Sequence, residues 1–159
     1  MKKTRRLIFT IILTLIALFA FVFNYINDSK KDVLYKYALD GDSVVLIIDG
    51  IESEVRMLGI DTPEKGEAFS ARAKYFTEDK LENAKKIELI KDSNSLDKDV
   101  YGRFLYWIKV DGILLQTELV ENGLAKVDYL KDNYIFAGEL ILAQEKAKLS
   151  SLGIWSIVE

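Results

Sequence analysis

A small barrel of the α+β class, mainly β, is the fold this sequence predicts. Short apolar, β-branched-rich segments come first and are joined by tight Asp-Gly turns. Helices interrupt them without the regular strand–helix–strand alternation of a parallel sheet, which favours a closed antiparallel barrel. Residues 33–159 are also long enough to bury a core of their own as one domain. The natural candidate is a five-stranded barrel of the oligonucleotide-binding type with three helices.

Taken in order, residues 33–39 and 43–48 read as strands joined through Asp40-Gly41-Asp42. Asp49-Gly50 is a strong hairpin signal into a strand over 51–60. Within that strand Val55 and Met57 share one face, so Arg56 points to the other. Pro63, the single proline, closes the strand in a turn. A helix follows over 67–84, with Phe69, Ala73 and Phe76 on one side. Residues 86–91 form a strand, 92–100 a polar loop and 103–110 another strand, ended by Asp111-Gly112. A short helix over 115–122 stops at Gly123, which suits a C-terminal cap. The last helix, 136–149, places Leu140, Ala143 and Ala147 on one face, and the tail Gly153-Ile154-Trp155-Ser156 packs back on the body.

Ahead of this domain, Lys2, Lys3, Arg5 and Arg6 precede an uncharged, mostly apolar run over 7–23. It is long for a signal-peptide core and just long enough to cross a bilayer. Leu18 makes a poor cleavage site after Ala20. Residues 1–27 are therefore expected to be a transmembrane anchor, with a cleaved signal helix as the alternative, and 28–32 a short tether. The basic flank puts the N-terminus in the cytoplasm and the domain outside the cell membrane.

The chain has no histidine and no cysteine. Ser-His and Cys-His nucleophiles, imidazole or thiolate zinc sites, disulfides and lipidated cysteine are all excluded. Acid–base work falls to Asp, Glu, Lys or Tyr, and any metal should be a hard, oxygen-loving one. The net charge is −3. Residues 1–30 hold five basic side chains and one acid, leaving 17 basic and 24 acidic in the remainder. That balance argues against strong non-specific DNA affinity.

Five charged residues nevertheless form a kit for phosphodiester chemistry. Asp42, in a loop, and Asp61, at a strand end, are carboxylates suited to a hard cation, and the Thr62 carbonyl is a plausible extra ligand. Glu64, beyond the rigid Pro63, can orient or deprotonate a water. Arg56 and Arg103 stand in or beside apolar strands, and their guanidinium forks match phosphate oxygens. Tyr101 and Tyr129 offer rings for a base, and Lys126 and Lys131 positive potential. Singly, each has an ordinary explanation: turn chemistry, a helix approach, a surface ion pair, a core-edge tyrosine.

Their order and spacing resemble the staphylococcal nuclease (thermonuclease) family along nearly all of residues 33–155. Asp40-Gly41-Asp42-Ser43 looks like its metal loop, with Ser43 in place of the more usual Thr. Residues 55–64, Val-Arg-Met-Leu-Gly-Ile-Asp-Thr-Pro-Glu, are similar to its central motif, and Tyr101-Gly102-Arg103 to its second arginine segment. Gly123-Leu124-Ala125-Lys126-Val127 and Ile154-Trp155-Ser156 match further signatures. The resemblance implies a Ca²⁺-dependent endonuclease acting on DNA and RNA by water attack and leaving 3′-phosphate ends. By position, Asp42, Asp61 and Thr62 would hold calcium, with Asp40 behind them. Arg56, Glu64 and Arg103 would be catalytic, and Tyr101 and Tyr129 would bind substrate. A monomer is expected.

Three departures stand out. The loop after Glu64 is short, Val100 replaces an expected lysine, and Lys131 replaces a second pocket tyrosine. Two other functions remain open from the residues alone: a non-catalytic nucleic-acid-binding barrel on the cell surface, and a calcium-binding interaction protein.

Overall fold

In the computed structural model, residues 11–19 and 33–156 are described, and they divide into two compact units at Lys31 and Asp32. In the first unit, residues 11–19 are helical with every residue exposed. Among the described residues no helix is long and apolar enough to cross a membrane. The remainder of the expected anchor over 1–27, and the tether over 28–32, lie outside the described residues.

The second unit runs β1 (Val33–Ala38), β2 (Ser43–Ile48), β3 (Ile51–Met57), β4 (Ile60–Asp61), α1 (Ser70–Glu82), β5 (Ile87–Ile90), β6 (Phe104–Val110), β7 (Ile113–Leu114), α2 (Leu115–Glu121), β8 (Lys126–Val127), α3 (Ala137–Leu149) and a 3₁₀ turn (Gly153–Ser156). Five strands make one curled sheet in the order β1-β2-β3-β6-β5, with β7 added to β6 and a separate β4–β8 pair. The end strands β1 and β5 come close to one another without a hydrogen-bonded ladder. The α+β class and the three helices of this unit are as expected; the main sheet has six strands counting β7, against five expected, and is curled with no ladder closing β1 on β5 among the described residues.

Three local expectations are corrected. The sheet is not antiparallel throughout: β3 and β6 pair in parallel, Val55 opposite Phe104 and Arg56 opposite Leu105. The long connection between them, containing α1 and β5, is what permits a parallel pair. The strand over 51–60 breaks into β3 and β4 at Gly59, whose φ is 74°. A Cβ there would also lie 2.8 Å from Leu130 Cδ1 and 3.0 Å from Trp107. Finally, Phe69 packs against the core with Ala73 and Phe76 as expected, but lies just outside α1 rather than in it. It is the N-cap in a left-handed conformation, and α1 buries Ala73, Thr77 and Leu81, the i, i+4, i+8 spacing of one helix face.

The core lies between the inner face of the curled sheet and the three helices. β3 alternates as expected, with Val55 and Met57 buried. From β6, Tyr106, Trp107 and Ile108 are buried, and Trp107 meets Tyr134 and Phe136 edge-on at 5.9 and 5.4 Å. Leu119, Leu124 and Leu140 are almost fully enclosed, each worth about 1.5–3 kcal/mol of transfer free energy. Helix α2 ends in a Schellman cap: Gly123 N–H donates to Val120 O and Leu124 N–H to Leu119 O. The tail folds back as expected, with Ile154 N–H donating to Gly123 O at 2.8 Å.

Candidate active site

The β1–β2 turn is built by its own side chain. Asp40 Oδ1 accepts hydrogen bonds from the N–H groups of Asp42 (3.0 Å) and Ser43 (2.7 Å), the geometry of an Asx turn. Gly41 sits where no side chain fits, since a Cβ would lie 2.8 Å from Ala73 Cβ and 2.8 Å from Thr62 Cγ2. The Thr77 hydroxyl donates to Gly41 O at 2.6 Å, clamping the turn to α1. This local packing turns Asp42 inward, where it is 4 % exposed.

Asp42 then organises the neighbouring segment. Its Oδ2 accepts from Thr62 N–H at 2.7 Å and from the Thr62 hydroxyl at 2.9 Å. Its Oδ1 accepts from the Ser43 hydroxyl at 3.1 Å and lies 3.1 Å from Arg56 Nη1. Burial pushes the Asp42 carboxyl up to about 6, against the lowering pull of Arg56 and with a further rise from Asp40.

Arg56 is turned by the β3 alternation away from the Val55–Met57 face and into the site. Nη1 also donates to Met57 O at 2.9 Å, and Nη2 donates to Asp61 Oδ1 at 3.1 Å. One guanidinium therefore bridges both candidate metal carboxylates. The other Asp61 oxygen lies 3.2 Å from Lys126 Nζ, delivered by the β4–β8 pairing of Asp61 with Lys126. Hydrogen bonds to Asp61 and Asp128 raise the Lys126 ammonium above its ordinary value.

Arg103 is oriented from two sides. Its Nε donates to Asp99 Oδ2 at 2.7 Å, and its Nη1 donates to Ser43 Oγ at 3.2 Å. A continuous polar chain thus runs Asp99, Arg103, Ser43, Asp42, Arg56, Asp61, Lys126. Burial alone would raise the Asp99 carboxyl, but bonding to the Arg103 side chain and backbone outweighs it and holds Asp99 below its ordinary value.

Every site residue expected from the sequence lines one cavity of about 650 Å³: Asp40, Asp42, Arg56, Asp61, Thr62, Glu64, Tyr101, Arg103 and Tyr129. They do not all touch. Glu64 is exposed on the segment between β4 and α1, its backbone N–H donating to Glu67 Oε2 at 2.7 Å. Tyr101 and Tyr129 are 82 % and 77 % exposed. The Tyr101 ring centroid lies 5.5 Å from the Arg103 guanidinium carbon.

Several contributors were not singled out by the sequence. Asp99 holds Arg103, and its position four residues before that arginine was an available signal. Ser43 links the two halves of the site through bonds no spacing reveals. Asp92 is buried and ties three segments together, accepting from Trp107 Nε1 at 3.0 Å, Ile135 N–H at 2.9 Å and Asn94 N–H at 3.0 Å. Lys131, which the sequence did single out, has a role its spacing did not state: it donates to Asn94 O at 3.1 Å and so straps two loops together.

The donor set suits a hard divalent cation. Two carboxylates converge on one cationic group, and all the candidate donors are oxygens. Among the described residues no group of three or more acidic side chains forms a cage. A cation here would thus be held by Asp42 and Asp61, completed by the Thr62 carbonyl and water.

Comparison with known proteins agrees with the geometry. The family described as "Staphylococcal nuclease homologue" matches residues 54–157. Endonuclease YncB of Bacillus subtilis (strain 168) is 34 % identical over 143 residues, covering 82 % of this chain and 65 % of that protein. The thermonuclease of Staphylococcus hyicus is 31 % identical over 124 residues, 74 % of this chain and 72 % of the relative. That of Staphylococcus intermedius is 29 % identical over 162 residues, 91 % and 95 % of the two chains. With the family match spanning most of the barrel and the site residues lining one cavity, this chain belongs to the staphylococcal nuclease family.

Proposed function

We propose that the protein is a calcium-dependent endonuclease that hydrolyses DNA and RNA and leaves 3′-phosphate ends. The observation that carries this reading is the shared cavity, in which two arginines and two aspartates form one bonded chain beside Glu64. The relatives named as endonuclease and thermonuclease support it.

In this reading Arg56 and Arg103 grip the scissile phosphate and stabilise charge growing on its oxygens as phosphorus becomes pentacoordinate. Glu64 takes the proton from the attacking water as its oxygen bonds to phosphorus, the P–O5′ bond breaks, and the leaving 5′-oxygen takes up a proton from solvent water. Calcium, when held by Asp42, Asp61 and Thr62, supplies Lewis-acid stabilisation of the phosphate oxygens. Asp40 shapes the turn that carries Asp42. Tyr101 and Tyr129 flank the nucleotide. Export, with residues 1–27 as a tether or removed by cleavage, is supported by the basic residues and apolar run of the N-terminus.

The test is digestion of single-stranded and duplex DNA and of RNA by the purified chain, titrated with calcium and then with chelator. Cleavage that rises with calcium, stops with chelator and leaves 3′-phosphates supports the proposal. Binding without cleavage at any calcium level would leave a surface binding barrel instead.

A further inference from the structure

We propose that Leu96 and Val100 form an apolar ledge on which an unpaired nucleobase beside the scissile phosphate rests. This deepens the nuclease reading and depends on it. Leu96 is 72 % exposed and Val100 92 % exposed, yet both line the same cavity as Arg56 and Arg103. What sets these two apart from other exposed apolar side chains is their place in the charged cavity, where a bound ligand gains apolar area to cover.

The ledge is held in place from several sides. Leu105 N–H donates to Asp97 O at 3.1 Å, and Asp99 N–H donates to Arg103 O at 3.0 Å. Asp92 anchors the start of the loop to Trp107 and Ile135, and Lys131 anchors it at Asn94. The nearest lysine in sequence, Lys98, is drawn away, with Nζ 4.1 Å from the Phe104 ring centroid. The rim therefore offers carbon where a phosphate backbone would want cations.

The occupant follows from that chemistry. A phosphate held by the two arginines carries its sugar and base to the adjoining rim, and only the base has a flat apolar face. In a duplex that face is covered by stacking, whereas in a single strand it is available. Contact of this kind is not screened by salt, unlike the arginine–phosphate contacts beside it.

The experiment uses the full chain carrying Glu64→Gln, in calcium buffer, with fluorescence anisotropy as the readout. The ligands are a labelled single-stranded thymidine oligomer, the same oligomer with abasic residues, and a hairpin duplex. The normal oligomer is expected to bind about fivefold more tightly than the abasic one, with the same ratio at low and high salt. Adding Leu96→Ser and Val100→Ser should cut that ratio to about twofold, the rest being carried by the Tyr101 and Tyr129 rings, and leave duplex binding unchanged. Persistence of the ratio in the double variant overturns the ledge, as does an equal loss for the duplex. If the double variant instead loses only self-association, the ledge belongs to a second copy of the chain and the proposal fails. Cleavage by the parent separates the two readings: a cleaving parent with an unaffected ratio sinks only the ledge. A parent that neither cleaves nor loses binding on Arg56→Gln and Arg103→Gln sinks both.

Discussion

Arg56 Nη2 donates to Asp61 Oδ1 at 3.1 Å, so a residue assigned to phosphate is bonded to one assigned to metal. The same guanidinium lies 3.1 Å from Asp42 Oδ1. A divalent cation held as proposed would therefore share both of its carboxylates with Arg56.

Replacing Arg56 by Gln should lower hydrolysis by about 100- to 1000-fold, the usual loss on removing one transition-state donor. It should also cost about 3 kcal/mol of stability, because the buried Asp42 carboxylate loses its countercharge. Calcium should then stabilise the variant more than the parent, since binding to the folded state restores the missing charge. Urea unfolding with and without calcium measures this. Equal stabilisation of the two proteins would refute the shared-carboxylate account.

For Glu64→Gln the expectation is a fall in cleavage of about 100- to 10,000-fold with no change in unfolding midpoint. The side chain is exposed, so its loss should leave the fold alone. Initial rates at saturating oligonucleotide, read beside a thermal melt, check both halves. Parent-like cleavage would remove Glu64 from the mechanism.

Asp92 gives a pH signature. Burial raises its carboxyl, but hydrogen bonds from Ile135, Asn94 and Trp107 outweigh it and hold the group below its ordinary value. A depressed carboxylate contributes stability above its unfolded pKa, and that contribution disappears as pH falls through the lower folded value. Asp92→Asn should thus cost about 2 kcal/mol near neutrality. The gap to the parent should close on acidification below the ordinary carboxylate range. Denaturation midpoints from neutral pH down to pH ~3 follow it; a gap that stays constant would refute the assignment.

The β1–β2 turn should be intolerant of bulk. Gly41→Ala would drive a methyl to within 2.8 Å of Ala73 and Thr62, costing about 1–3 kcal/mol by overpacking. Thr77→Val, which removes only the hydroxyl bonded to Gly41 O, should cost about 1 kcal/mol. Because both changes displace Asp42, activity should fall more steeply than stability. Turnover compared with melting temperature across the two variants tests this.

Much of this site was legible because its parts sit in short local patterns. Asp40-Gly41-Asp42 is turn chemistry, and Arg56 between Val55 and Met57 is a strand alternation, so both positions followed from the sequence. Lys126 was harder because its partner Asp61 depends on how β4 and β8 pair, which no periodicity states. Ser43 was noted only as a substitution, since its bond to Arg103 spans 60 residues. The parallel β3–β6 pair was missed because a strand's pattern does not reveal its neighbour's direction. Phe69 falls outside the helix because helical spacing cannot see the left-handed turn at which α1 begins.

That parallel pairing has a consequence for when the protein becomes active. Val55 meets Phe104 only after the long intervening chain has closed into a loop, an event that carries an entropy cost and is slow relative to hairpin formation. Arg56 and Arg103 belong to opposite sides of that closure. A nascent or truncated chain ending before β6 can form the β1–β2–β3 meander and still possess no phosphate clamp. On the proposed reading, cleavage would require both sides of that closure, and so would belong to a chain in which β3 and β6 have paired.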